Sequence, residues 1–310
     1  MSKKILYILG ILLTAIVGGI LGWLLCCPSG GEANIKTKSP EIAPVVEPTT
    51  PKAPVPTKNG LVFNDDSGDF TYRTNDNFNF NGSNFSILKP ISTTVDDGIG
   101  KLKAYFETNP TKVINVVGLY KSSEENTSAF PNLGIARANA VKNYLVEKGI
   151  SSKCINLSSK LNDDLIPDKD IYYGPINFEI ATVEEDNSAQ LKALHDEIVA
   201  NPLVLYFNTG DSSLNLNTAQ RLKMQQISSY IDKVDDGKVN VVGHTDSVGN
   251  ASKNTQLGLE RAKTVKGYLT QNGINPAKID PSSQGPKKPI ASNKTKAGRA
   301  KNRRVEVTLN

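Results

Sequence analysis

Arg261 is the residue whose surroundings most need an explanation. Leu257, Val265, Tyr268 and Leu269 recur around it at helical spacing, so its guanidinium falls in the middle of an apolar stripe. A cation there must find an acceptor or open onto a cavity, because burying it unpaired is costly. Asp246 is a candidate acceptor. It follows the β-branched run Val239–Val242 after Gly243-His244-Thr245. In a strand–loop–helix unit the end of the strand lies near the face of the next helix, so Asp246 and Arg261 share one site. Asn302-Arg303-Arg304 opens the last strand and brings Arg303 alongside. The residues alone leave two readings open: a salt bridge inside the fold, or a pair of opposite charges that binds a ligand.

The elements that position these residues follow from periodicity. Leu203–Phe207 reads as a short strand. Leu216–Val234 carries apolar residues at helical spacing, Val239–Val242 is a strand, and Asn254–Gln271 is a helix stopped by Asn272-Gly273. Ile279–Ser282 and Arg304–Leu309 are further strands. The order βαβαβ predicts an α/β (α+β) sandwich with helices packed on a sheet. The same pattern occurs upstream. Val113–Lys121 and Leu133–Ile150 repeat Lys238–Asp246 and Leu257–Ile274 with Gly118, Arg137 and Gly149 in register. Two copies at this spacing predict tandem domains and not a solenoid.

Three separated motifs carry a resemblance. They are Gly243-His-Thr-Asp-Ser-Val-Gly249, Asn254-x-x-Leu-Gly-x-x-Arg-Ala262, and the run from Pro289 through Gly298-Arg-Ala-x-Asn-Arg-Arg-Val-Glu306. In this order the stretch from Leu203 to Leu309 resembles the OmpA-like (outer-membrane protein A C-terminal) family. The resemblance implies a periplasmic module that binds peptidoglycan without covalent chemistry. It implies that Asp246 and Arg261 grip the diaminopimelate of an uncrosslinked stem peptide, with Asn254 and Arg303 in support. Thr245 and Leu257 complete the expected ligand set. The end of that side chain carries an ammonium and a carboxylate. Asp246 would accept from the first and Arg261 would fork onto the second, so a lysine-type stem peptide should bind less well. Gly258 departs from the family, which usually has Ser there; the expected effect is on helix propensity more than on the site. The upstream copy departs where it matters. Lys121 stands in the place of Asp246, the Ser122–Asn132 loop is one residue longer, and Ile176 replaces Arg303. It is expected to keep the fold and lose the ligand.

Composition sets the frame. A chain of 310 residues accommodates about two domains, and 38% hydrophobic with 22% charged residues suits folded ones. Lys and Arg exceed Asp and Glu by 36 to 31, too little to argue for nucleic acid, and no nucleic-acid partner is expected. The basic run Lys287–Arg304 fits an anionic wall polymer better. Cys26, Cys27 and Cys154 lack zinc spacing, and Asp65, Asp66 and Asp69 lack the full calcium-loop pattern. No nucleophile–base pair stands out, so neither enzyme chemistry nor a cofactor is expected.

Ile5–Leu25 carries no charge and follows Lys3-Lys4. At about 31 Å as a helix it matches a bilayer core, and the lysines favour a cytoplasmic start. The reading is an uncleaved inner-membrane anchor, favoured over a cleaved signal because Trp23-Leu24-Leu25 offers no small-residue cleavage or lipoprotein site before Cys26 and Cys27, with everything beyond it in the periplasm. The uncharged span rules out a proton relay, which disfavours a motor-stator role. Residues 28–60 are proline-rich and lack aromatics, as a tether should. The expected organisation is therefore an anchor over 1–27, a linker over 28–60, a degenerate OmpA-like domain over 61–183 and a competent one over 184–310. The expected partners are peptidoglycan, the membrane through the N-terminal helix, and envelope proteins through residues 61–183. The alternative is a structural adaptor of an envelope complex, with wall binding secondary.

Overall fold

A computed structural model of the chain describes residues 54–183, 187–207, 214 and 216–310. The expected anchor over Ile5–Leu25 and most of the proline-rich segment lie outside the described residues. Among the described residues no helix is long and apolar enough to cross a membrane.

The C-terminal half consists of α3 (Ser188–Ala200), β8 (Leu203–Tyr206), α4 (Thr218–Lys233), β9 (Val239–His244), α5 (Ala251–Gln271), β10 (Ile279–Gly285), α6 (Lys296–Asn302) and β11 (Arg304–Leu309), numbered after the N-terminal elements given below. Its sheet runs β10-β9-β11-β8. β9 pairs parallel with β10 and antiparallel with β11, and β11 pairs antiparallel with β8. A parallel neighbour requires a crossover, which α5 supplies. Val239 and Val241 of β9, Val265 and Leu269 of α5, Met224 and Ile227 of α4, and Val305 and Val307 of β11 share one buried core. Asn217 and Gln220 form a capping box on α4. Gly273 takes the left-handed conformation that ends α5, with Ile274 donating its backbone N–H to the Leu269 carbonyl.

The N-terminal half contains β1 (Leu61–Asn64), β2 (Thr71–Thr74), β3 (Asn79–Asn81), α1 (Thr93–Thr108), β4 (Lys112–Tyr120), α2 (Leu133–Glu147), β5 (Ile155–Leu161), β6 (Ile171–Tyr173) and β7 (Ile176–Thr182). The order β5-β4-β7 again places a parallel and an antiparallel partner on either side of the central strand. β1 with β2 and β3 with β6 make two small antiparallel ribbons. Phe63, Phe78, Phe80, Ile99, Leu102 and Phe178 lie in a separate core on this side.

Several boundaries differ from the sequence reading. Within the stretch read as linker, Thr57 and Asn59 donate their backbone N–H groups to Ile166 and Tyr173. α5 starts at Ala251 because Asn250 caps it, accepting from the N–H groups of Ser252 and Lys253. β9 and β10 run on to His244 and Gly285. α3 and α6 were not expected at all. α3 buries chiefly Ile198, and α6 has only seven residues, so neither writes a clear apolar period.

Gly258 has a packing role. A Cβ on Gly243 of β9 would run into the carbonyl of Gly258 in α5, and a Cβ on Gly258 would meet Ser283 of β10. Gly118 of β4 and Gly134 of α2 meet in the same way. Glycine at both positions lets helix and strand touch backbone to backbone. Gly243→Ala is therefore expected to cost about 1–3 kcal/mol through overpacking, read as a lower urea midpoint.

The two halves are held together by polar contacts at a packed face. Lys142, 1% exposed, pairs with Asp232 at 2.6 Å. Asn139 donates to the Asn272 carbonyl at 2.9 Å, and Asn272 Oδ1 accepts from the Ala129 N–H at 3.0 Å. Ala129 is buried within the C-terminal core cluster, and Arg221 donates to the Ser128 carbonyl.

Candidate ligand-binding cavity

The loop that leaves β9 carries Thr245 and Asp246. The Thr245 N–H bonds the Gly285 carbonyl of β10 at 3.0 Å, which keeps the loop at the end of the sheet. Asn254, one turn into α5, donates its side-chain amide to the carbonyls of Asp246 at 3.3 Å and Val248 at 3.0 Å. Asn254 is thus a brace for the loop. Asp246 Oδ1 accepts from the Val248 N–H at 3.1 Å, and Oδ2 accepts from Arg303 Nη1 at 3.0 Å.

Arg261 projects from α5 towards the same place and is 4% exposed. Its guanidinium lies over the Phe207 ring, 5.4 Å from the centroid. Burial pushes its pKa down, and the neighbouring Arg303 adds to that effect while Asp246 opposes it. The ion pair of Asp246 is with Arg303, not the internal Asp246–Arg261 bridge that the sequence left open.

A cavity of about 490 Å³ opens between these groups. It is lined by Thr245, Asp246, Val248, Asn254, Leu257, Arg261, Lys296, Arg299 and Arg303. All six residues singled out in the sequence lie on it. Val248, Lys296 and Arg299 do too, and sequence reasoning had not assigned them to the site. The signal for Arg299 was its place in Gly298-Arg-Ala; Lys296 had none beyond the basic run.

The basic tail is shaped by Asn302, which is fully buried. Its Oδ1 accepts from the N–H groups of Ile290 and Ala291, and its Nδ2 donates to the Ala291 carbonyl at 2.8 Å and to Asn293 Oδ1 at 2.9 Å. Asn293 Oδ1 also accepts from Ser247 N–H at 3.3 Å, tying the tail to the Asp246 loop. The two arginines that follow diverge. Arg303 faces the cavity. Arg304 is buried against Glu306, with Nε to Oε1 at 2.7 Å. His244, 3.6 Å from Glu306, lies apart from the cavity, and burial beside Arg304 pushes its pKa down.

In the N-terminal half, Arg137 of α2 is fully buried between the rings of Phe80 and Tyr172, 5.4 and 5.2 Å from their centroids. Glu124 occupies its fork, with Nη2 to Oε1 at 2.5 Å and Nη1 to Oε2 at 3.1 Å. The same carboxylate accepts from the N–H groups of Ser83 at 3.2 Å and Lys121 at 3.0 Å. Lys121, which the sequence expectation aligned with Asp246, turns its ammonium to the Leu165 carbonyl at 2.6 Å.

Comparison with known proteins bears on the C-terminal half. Residues 206–303 match the profile of the OmpA family, so the chain carries an OmpA-family domain over that stretch. Such a domain is a structural binding module and not an enzyme. The chain is similar to outer membrane protein A of Bordetella avium, 39% identical over 104 residues that span 34% of this chain and 53% of that protein. It is similar to the peptidoglycan-binding protein ArfA of Mycobacterium bovis, 32% identical over 122 residues, covering 39% of this chain and 36% of that one. Among solved structures it matches the C-terminal domain of Helicobacter pylori MotB at 31% identity and a TM-score of 0.30, covering 36% of this chain and 84% of that one. The chain spans about half the length of the first curated relatives it matches.

Proposed function

We propose that the cavity beside Asp246 binds the diaminopimelate side chain of uncrosslinked peptidoglycan stem peptides, in the periplasm, without covalent chemistry. One observation carries this reading: a carboxylate and a buried guanidinium, Asp246 and Arg261, line one open cavity instead of neutralising each other. The side-chain ammonium is taken by Asp246 and the adjoining carboxylate by Arg261. Arg303 holds Asp246 in place through their 3.0 Å contact, Asn254 fixes the loop, and Thr245 and Leu257 wall the cavity. The peptidoglycan-binding relative supports the ligand class.

The upstream half is a second, degenerate copy of the module. The shared strand order and the paired Gly–Gly contacts support this. Its ligand place is filled from within by Glu124, so it serves as a scaffold packed against the competent copy and as a surface for envelope partners. With Ile5–Leu25 as an inner-membrane anchor and the proline-rich segment as a tether, the whole chain links membrane to wall.

Calorimetry of the full chain, solubilised in detergent, tests the ligand. The stem tripeptide L-Ala–γ-D-Glu–diaminopimelate is expected to bind at least about tenfold more tightly than the same tripeptide ending in lysine, whose side-chain ammonium has no carboxylate beside it to face Arg261. Equal affinities would overturn the reading.

A further inference from the structure

The charges around the cavity do not balance for a simple zwitterion. Among the described residues Arg303, Arg299 and Lys296 line it together with Arg261, and Asp246 is the one carboxylate on its wall. Arg303 already neutralises Asp246 at 3.0 Å. The diaminopimelate end group carries one ammonium and one carboxylate, so seating it leaves the excess of positive charge untouched. Lys296 is exposed, and its ammonium makes no ion pair among the described residues. One terminal nitrogen of the Arg299 guanidinium, Nη1, donates to the carbonyls of Asn293 at 2.9 Å and Lys294 at 3.3 Å. Those bonds orient its guanidinium without compensating its charge. A cleft lined by one sign of charge favours ligands of the opposite sign.

We infer that Lys296 and Arg299 form a second anionic subsite, which selects stem peptides ending at the diamino acid with its main-chain carboxylate free. This rests on the reading of the cavity as a stem-peptide site. In such a peptide the diamino acid presents two carboxylates, separated by its own short side chain. One faces Arg261 and the other reaches the Lys296–Arg299 side. A peptide that continues beyond the diamino acid has that second carboxylate locked in a neutral amide and carries its terminal carboxylate a residue or more further from the end held by Arg261, out of register with Lys296 and Arg299. The preferred ligand is therefore the product of a carboxypeptidase-type hydrolysis, in which water cleaves the bond after the diamino acid and leaves a free carboxylate there. The protein would thus mark trimmed regions of wall in preference to regions rich in untrimmed stems.

The test uses the full chain in detergent and two synthetic tripeptides, L-Ala–γ-D-Glu–diaminopimelate with a free main-chain carboxylate and the same peptide with that carboxylate amidated. Titration calorimetry at low and at moderate salt gives both affinities. Wild type is expected to favour the acid by roughly five- to tenfold, the worth of one partly sheltered charged pair, with the gap narrowing in salt. Lys296→Ala with Arg299→Gln is expected to shrink the preference to about twofold or less. Lys296→Ala alone, at an exposed position that cannot threaten folding, should remove part of it. If wild type binds both peptides equally while Asp246→Ala weakens both, the second subsite is wrong and the main site stands. If the preference survives both substitutions, these two residues do not create it. If Asp246→Ala changes neither affinity, the stem-peptide reading of the cavity falls, and this inference with it.

Discussion

Glu124→Ala is expected to lower the stability of the chain by about 3–5 kcal/mol, the cost of leaving a buried charge without its partner. Arg137 has no exposed surface, and Glu124 supplies both of its charged hydrogen bonds. The carbonyls of Asn84, Leu119 and Asn81 complete its donors but carry no compensating charge. The loop around Glu124 also delivers Ser128 and Ala129 to the C-terminal half, so a loosened loop should weaken that contact as well. Urea unfolding reads the loss. Glu124→Gln keeps the shape and removes the charge, and should fall between the two. Acetate is the fragment that Glu124→Ala deletes. Added acetate is expected to recover part of the stability of Glu124→Ala and to leave wild type unmoved, whereas chloride at the same ionic strength recovers less. A variant that unfolds at the wild-type urea midpoint would show that Arg137 does not depend on the charge of Glu124.

The second large effect concerns ligand affinity. Arg261→Ala and Asp246→Ala are each expected to weaken diaminopimelate binding by at least about thirtyfold, since each removes one partner of a charge-assisted, desolvated pair. The two losses should not add, because both residues hold the same small group. Arg261→Lys keeps the charge and loses the fork, so it should recover only part of the affinity. Asp246→Ala has a further consequence: Arg303 loses its 3.0 Å partner and adds an unbalanced charge beside Arg261. Arg303→Ala should then weaken binding less than Asp246→Ala does, because Asp246 remains and is merely less constrained. Circular dichroism on each variant separates loss of binding from loss of fold.

Much of this site was legible in the residues. Arg261 sat on an apolar stripe and Asp246 followed a β-branched strand, so their convergence followed from elementary periodicity. The ends of α5 were partly legible: Asn272-Gly273 announced its stop, while the cap at Asn250 lay three residues before the expected start. Other features had no local signal. α6 brings Lys296 and Arg299 to the cavity through the buried amide of Asn302, whose bonds run to residues nine to twelve positions away. Such a polar hub leaves no hydrophobic period. Glu124 as the partner of Arg137 was equally hidden, because a loop can place a carboxylate anywhere within its reach. Gly258 was read as a matter of propensity, since the backbone of a strand against it is a tertiary fact.

The central claim is that Asp246 and Arg261 hold the wall. It is tested most directly by co-sedimentation of the full chain, in detergent, with purified sacculi of the diaminopimelate and the lysine type. The full chain is the right object, because Ala129 and Asn139 of the upstream half are packed against the C-terminal half and a truncated domain would expose that face. The account predicts that wild type pellets with diaminopimelate sacculi and far less with lysine sacculi. It predicts that folded Asp246→Ala and Arg261→Ala stay in the supernatant with both. Wild type remaining soluble, or both folded variants pelleting as wild type does, would contradict it and favour the structural-adaptor reading.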